Sequence, residues 1–387
     1  SISAPDPAAA ARAYLDAWSV GDFTAMYAML TTLSQDAFSF DDFEARYFHV
    51  AAQTNLFQVE YDILQSLISN PDSAQVGYRV TLHSAIVGEI TRETMMNLSR
   101  GLSNDWRVVW DDRLILPELV GGNTLSMDRE VPSRGNIYDR EGNAIAGDTD
   151  IVTAAVIPSE IGEDDGNGLV SQLRSLTGLN SNVISRMVFD EDAPFLLPIS
   201  EVSQDQFNRR LDNLSPYFGM LSWREYSGRL YFNGGTAPQT TGWVGPIPAE
   251  QVDEYISQGY QIDDNIGRDG VEAWAESILS GTRGGTLYVV SPQGSIVTTL
   301  ASSDPEPSQS VYMTLDKDLQ QQAQLAIEGF NGAIVVLERD TGRVLAMVSS
   351  PGFNPNSADT ANINHDYLWA DYIADPNRPF WNHATLG

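Results

Sequence analysis

The sequence contains no cysteine, and among its 22 basic residues there is a single lysine, Lys317. The first absence excludes disulfides, thiolate nucleophiles and cysteine-ligated metals. The second leaves any chemistry that needs a lysine amine one place to happen. Histidine is scarce as well: His49, His83, His365 and His383 are the whole set. No two of them stand four residues apart and none has a glutamate in metalloprotease spacing, so a zinc-binding helix is excluded. No apolar run approaches the roughly 20 residues of a membrane span. The opening stretch, Ser1 to Ala10, lacks the basic-then-apolar order of a secretory signal.

Positive charge is the remaining shortage. Against the 22 basic residues stand 52 acidic ones, a formal net charge of −30. Phosphates would be repelled, which excludes nucleic acid and an anionic membrane surface as natural partners. What is present is apolar material: 42% hydrophobic and 10% aromatic residues, spread along the chain. That is enough to bury. At 387 residues the chain is long for one core, and two or three domains are expected.

The pattern along the chain supports several units. Asp6 is placed to cap a helix beginning at Pro7, with Tyr14, Leu15 and Trp18 on one stripe. Gly21 stops it, Asp22 can cap a second helix carrying Phe23, Met26, Tyr27 and Leu30, and a third is expected after Asp41. From Leu56 the period becomes two: Phe57, Val59, Tyr61 and Ile63, then Val76, Tyr78, Val80 and Leu82, then Trp106, Val108 and Trp110. Helices followed by a meander of half-buried strands predict an α+β unit, helices on one face of a curved antiparallel sheet, ending near Glu118. The aromatic set Trp18, Tyr27, Phe57, Tyr61, Trp106 and Trp110 is expected in its core. Residues 119–310 mix acidic loops, short helices and a hairpin at Gly285–Leu300, an elongated module. From Val311 a strand leads to a helix over Lys317–Phe330 and two strands, Gly332–Arg339 and Arg343–Ser350.

Within this organisation Val131 to Ala146 is unusual, because it packs Arg134, Asp139, Arg140 and Glu141 around Gly135 and Gly142. Arginine forks, a carboxylate acceptor and glycines able to take tight or left-handed turns suit a clamp fixed by charge-assisted hydrogen bonds. Three further segments follow in order: Asn265 to Gly285, Met313 to Ala323 and Gly332 to Asn356.

Together the four segments resemble the class B penicillin-binding proteins, the cell-wall transpeptidases. The family pattern that opens the dimerisation or pedestal domain is matched by Arg134, Gly135, Ile137, Asp139, Arg140, Gly142 and Ala146, with Ile145 in place of the usual leucine. A second family stretch is matched by Ile266, Gly267, Gly270 and Glu272, and the strand leading into the transpeptidase domain by Thr314 and Asp316. The segments Asp6 to Leu30 and Asp105 to Leu119 resemble the N-terminal extension of resistance-type members, which has the cone fold of nuclear transport factor two and the ketosteroid isomerases. The resemblance is weakest between about 150 and 260.

The resemblance implies three regions: an N-terminal extension at 1–118, a dimerisation domain at 119–310, and the start of a transpeptidase domain at 311–387. It also implies a structural brace at Arg134, Gly135, Asp139, Arg140, Gly142, Gly267, Gly270 and Glu272. The family's acyl transfer needs a Ser-x-x-Lys nucleophile and a Lys-Thr-Gly strand. Here Lys317 is preceded three residues earlier by Thr314 and followed by Asp318, so neither motif is present. The family nucleophile lies shortly after an Asn-Arg stretch, and Asn377 and Arg378 stand near the last residue, so a chain cut before the nucleophile is expected. In the intact protein the resemblance implies work on the extracytoplasmic face of the plasma membrane, behind an anchor outside this chain. The implied partners are cell-wall synthesis proteins and peptidoglycan precursors, with β-lactams as trapping ligands. No cofactor and no metal is called for.

Other readings remain at this level. The stretch Glu163 to Gly168 is calcium-loop-like in composition but lacks alternate ligands and a closing glutamate at the twelfth position. A catalytic pocket inside the cone would draw on Asp22, Asp62 or Tyr78. A stand-alone secreted scaffold module and a small-molecule-binding cone are the two alternative functions.

Overall fold

The computed structural model describes residues 5–101, 104–162, 165–179, 181–190 and 193–386. They divide into two units that are discontinuous in sequence: 1–131 with 247–263 and 282–306, and 132–246 with 264–281 and 307–387.

The first unit begins with helix Pro7–Ser19, where the Asp6 carboxylate accepts from the Ala8 N–H at 2.9 Å. Asp22 caps Phe23–Ala28 in the same way, and Ser39 caps Phe40–Thr54. A further helix, Thr32–Ala37, lies between them. Its apolar stripe is too short to register as a period, and it exists because the Thr31 hydroxyl accepts from the Ser34 N–H. These helices pack on a four-stranded antiparallel meander: Leu56–Asn70, Ser73–Ser84, Gly88–Arg100 and Trp106–Val109. Val76, Tyr78, Val80 and Leu82, alternate residues of the second strand, are all fully buried. Phe57 departs from the expected core and is 52% exposed. A register shift between Leu56 and Gln58 turns its side chain off the core face.

A second, three-stranded sheet belongs to the same unit. Thr124–Glu130 pairs with Gly284–Val290, which pairs in turn with Ile296–Ser303. The predicted hairpin at 285–300 is therefore present. Its Leu287, Val289 and Leu300 join the same apolar cluster as Tyr14, Trp18 and Trp110.

The second unit is organised by one long strand, Ala144–Val156. Leu221–Tyr231 covers one edge, while Ile137–Tyr138 and Leu197–Ser203 share the other. Ile137–Tyr138 also pairs in parallel with Val311–Tyr312. Helices Gly166–Thr177, Ser181–Val188 and Gln204–Leu214 contribute Leu169, Leu173, Ile184 and Phe207 to apolar clusters with this sheet. Past Val311 the helix Lys317–Ile327 is capped by Asp316 and ends before the expected Phe330, because Glu328 leaves the helical region (ψ 129). The hairpin Gly332–Leu337 and Val344–Ser350 packs on it, fixed by Gln320. That side chain donates to the Met347 carbonyl at 3.0 Å and accepts from its N–H at 2.7 Å.

Candidate functional site

The predicted brace residues fall into two clusters, both in the second unit. The first is built around Glu272, which is fully buried. Asp269 accepts from the Gly270 N–H at 2.8 Å and starts the short helix Gly270–Trp274, and this helix carries the Glu272 carboxylate inward. Arg134 Nε donates to Glu272 Oε2 at 2.9 Å and its Nη2 to Glu276 Oε2 at 2.7 Å. Arg229 donates from Nε to the other oxygen of Glu272 and from Nη2 to the Gly135 carbonyl at 3.1 Å. The Tyr231 hydroxyl donates to Glu272 Oε1 at 3.2 Å and accepts from the Val244 N–H at 2.9 Å. Arg229 and Tyr231 stand two apart on one strand and so share a face.

Burial alone would disfavour charge on Arg134, but the hydrogen bond to Glu276 and the charges of Glu272 and Glu276 outweigh it and raise its affinity for the proton. Tyr231 is held protonated, first by burial and then by the Glu272 carboxylate, so it serves as a fixed donor.

Two glycines make this packing possible by close approach. A Cβ at Gly135 would lie 2.1 Å from the Gln309 carbonyl oxygen, and one at Gly267 2.0 Å from the Glu272 carbonyl oxygen. The Gly267 N–H also donates to Glu276 Oε2 at 2.7 Å. Gly270 takes the left-handed region, φ 57, beside the Thr240 carbonyl.

The second cluster is the turn at Asp139. Its Oδ1 accepts from the Glu141 and Asn143 N–H groups, each at 2.8 Å. Oδ2 accepts from Asn143 Nδ2 at 3.0 Å and from the Lys317 N–H at 3.2 Å. The turn thus places a second carboxylate at the start of helix Lys317–Ile327, where unpaired N–H groups favour negative charge. Burial works against the Asp139 carboxylate, yet the donors from Asn143, Glu141 and Lys317 hold it below the ordinary aspartate value. The Arg140 N–H donates to the Leu315 carbonyl at 2.9 Å, and its guanidinium lies 3.8 Å from Glu338. Gly142, φ 89, closes the turn, and no atom would crowd a Cβ there. Gly142→Ala is therefore expected to cost only the left-handed strain, about 1–2 kcal/mol. Chemical denaturation checks this value.

Lys317, the one lysine, is occupied in the same joint. Its Nζ donates to the Ala144 carbonyl at 2.7 Å and lies 5.2 Å from the Phe232 ring centre, and burial pulls its proton affinity down. Arg229, Tyr231 and Glu276 are missing from the sequence-level site. The first two lie in the stretch where the family resemblance is weakest, and their pairing in an Arg-x-Tyr strand with inward parity was the available signal.

The cone-pocket candidates have other work. Asp22 caps a helix, Asp62 is exposed, and the buried Tyr78 hydroxyl donates to the Leu114 carbonyl at 2.5 Å. At the centre of the cone Tyr14 and Tyr47 hydroxyls pair at 2.7 Å, and Trp110 Nε1 donates to Tyr47 at 3.1 Å. Tyr47→Phe leaves both partners without it and is expected to cost the first unit about 1–3 kcal/mol in a denaturant titration. Of the calcium-like loop, Glu163 and Asp164 lie outside the described residues. Among the described residues no group of three acidic or histidine side chains could hold a metal ion, and no helix is long and apolar enough to cross a membrane.

Residues 6–123 match the NTF2-like N-terminal transpeptidase domain and residues 129–313 the penicillin-binding protein dimerisation domain. The chain carries the N-terminal and dimerisation regions of a class B penicillin-binding protein. It is similar to penicillin-binding protein 3 of Bacillus subtilis, with 26% identity over 378 residues, 95% of this chain and 55% of the relative. It is also similar to the peptidoglycan D,D-transpeptidase MrdA of Escherichia coli, with 28% identity over 277 residues, 68% of this chain and 42% of the relative. The chain spans about half the length of these curated relatives. Among solved structures it is similar to a penicillin-binding protein of Helicobacter pylori in complex with MreC, with 21% identity, 67% of this chain, 48% of that one and a TM-score of 0.40.

Proposed function

We propose that this chain is the non-catalytic portion of a class B penicillin-binding protein and that it positions a serine D,D-transpeptidase for cross-linking peptidoglycan. In this reading residues 1–118 are the N-terminal extension, 119–310 the dimerisation domain and 311–387 the start of the transpeptidase domain. Arg134, Gly135, Asp139, Arg140, Gly142, Gly267, Gly270 and Glu272 act as the brace. The observation that carries it is the Asp139 carboxylate at the first turn of helix Lys317–Ile327, because it makes the dimerisation-domain motif a fixed seat for the segment that leads toward the catalytic region. The work is extracytoplasmic, and its partners are cell-wall synthesis proteins and peptidoglycan precursors. The curated relatives' names, penicillin-binding protein and peptidoglycan transpeptidase, support both.

Fluorescent-penicillin labelling tests the assignment, with this chain and the native protein from its source cells on one denaturing gel. A labelled native band and an unlabelled 387-residue chain are expected. Covalent labelling of the 387-residue chain, or an unlabelled native protein, would contradict it.

A further inference from the structure

Strand Leu221–Tyr231 has one open edge. Among the described residues it pairs with Ala144–Val156 alone, in an unbroken antiparallel register from Ala146 opposite Tyr231 to Val156 opposite Leu221. Such a register sends the N–H and C=O groups of successive residues to opposite sides of the strand. Two contacts fix which side is which. The carbonyl of Met220, an even-numbered position, accepts from the Ile157 N–H at 2.8 Å, toward the paired strand. The Tyr231 N–H donates to Asn356 Oδ1 at 2.7 Å and its carbonyl accepts from Asn356 Nδ2 at 2.9 Å, so the odd-numbered positions turn their backbone outward. The Asn356 amide thus fills one rung of a strand that is not there. Beyond the buried Arg229, the next outward rungs belong to Ser227, Glu225 and Trp223, all exposed, and neither a proline nor a bulge blunts this edge.

The side chains of these three rungs share one face. Trp223 packs on Phe207 and Phe218, its ring centre 5.4 Å from each, and stays 39% exposed. Glu225 accepts from Gln204 Nε2 at 3.0 Å, and Asp150, directly across from Ser227, accepts from its hydroxyl at 2.6 Å. Both carboxylates are exposed and both of these donors are neutral, so the donors leave the negative charge uncancelled. At the Ser227 end the row runs into a cavity of about 770 Å³ whose lining adds Asp148 and Asp359. Its two arginines, Arg134 and Arg229, are already bound to Glu272. Arg224, the other nearby cation, stands on the opposite face of the strand.

We propose that this edge receives an extended segment of a partner protein with basic residues at alternate positions, which adds a strand along residues 223–227. Its main chain fills the open rungs, and its cationic side chains lie beside Glu225 and Asp150 and over the Trp223 ring. A second copy of this chain is a poor occupant, because pairing two such edges brings like charges together. A fluorescein-labelled peptide of alternating arginine and valine is the probe, titrated with the 387-residue chain and read by fluorescence anisotropy. The control is the same peptide N-methylated at every backbone amide, equal in charge and unable to donate. Saturable binding is expected, weakened about tenfold or more in the control by the loss of several hydrogen bonds. Glu225→Pro removes an N–H that faces outward and leaves the native ladder whole, and it is expected to weaken binding about as much. Glu225→Gln, which removes only the charge, is expected to weaken it about two- to fivefold. The peptide and its control are compared on the unaltered protein, so the test stands even if the proline variant fails to fold. Absence of saturable binding, equal affinity for peptide and control, or unchanged affinity in a folded Glu225→Pro overturns the proposal. Self-association of the unaltered chain that Glu225→Pro abolishes would give the edge to a second copy and overturn it equally.

Discussion

Replacing Glu272 by alanine is expected to destabilise the second unit by about 3–5 kcal/mol, the cost of removing one partner from a buried ion pair. The reason is what stays behind. Arg229, with its side chain 4% exposed, loses its closest carboxylate and keeps only Asp148 at 3.3 Å and the Gly135 carbonyl. Arg134 keeps Glu276, and the Tyr231 hydroxyl is left without an acceptor. Glu272→Gln fills the same volume and can still accept at one oxygen, so a smaller loss is expected. A denaturant titration reads the effect directly, since the first unit contains none of these residues and its transition serves as an internal reference. A loss below about 1 kcal/mol would place Glu272 among ordinary exposed pairs and contradict the arrangement.

Asp139→Asn is expected to cost about 2–3 kcal/mol although it changes only one oxygen to an amide nitrogen. The native carboxylate accepts from four donors, two at each oxygen. An asparagine can serve the two donors at one oxygen and must turn its own N–H groups toward the others. The same geometry sets a pH dependence. The carboxylate is held below its ordinary value by Asn143, Glu141 and Lys317 against the cost of burial. Its contribution is therefore complete above the unfolded-state value of about 3.9 and is lost as pH falls through the lower folded-state value. Stability of the second unit followed from pH 6 downward should fall less steeply in Asp139→Asn than in the unaltered protein. Parallel acid limbs would rule out a role for this carboxylate.

Local chemistry was the readable part of this fold. Asp6 and Asp22 announce their helices because a cap is decided by a handful of neighbouring atoms, and Val76 to Leu82 announce a strand because alternate residues face one core. Arg134, Asp139 and Arg140 stood out for a similar reason, as charged groups ordered around Gly135 and Gly142, whereas Gly267, Gly270 and Glu272 were reached through the family resemblance. What could not be read was long-range pairing. Nothing in Thr124–Glu130 says that its partner is Gly284–Val290, because that register is chosen by burial of Leu125, Leu287 and Val289 in one cluster. Arg229 was hidden likewise, since its role exists only once strand Leu221–Tyr231 brings it beside Glu272. The exposure of Phe57 follows from a bulge that no alternation pattern records.

The most direct test of the account is hydrogen exchange across the joint between the Asp139 turn and helix Lys317–Ile327, comparing the unaltered protein with Asp139→Asn. The amides of Arg140, Glu141, Asn143, Val311, Met313 and Lys317 all donate within this joint. Exchange is expected to accelerate by about 30- to 150-fold, the equivalent of about 2–3 kcal/mol, in peptides covering 136–146 and 311–320. Strands Ser73–Ser84 and Gly88–Arg100 of the other unit should stay protected. Acceleration confined to 136–146, with 311–320 unchanged, would mean that the motif stabilises only its own turn and does not seat helix Lys317–Ile327.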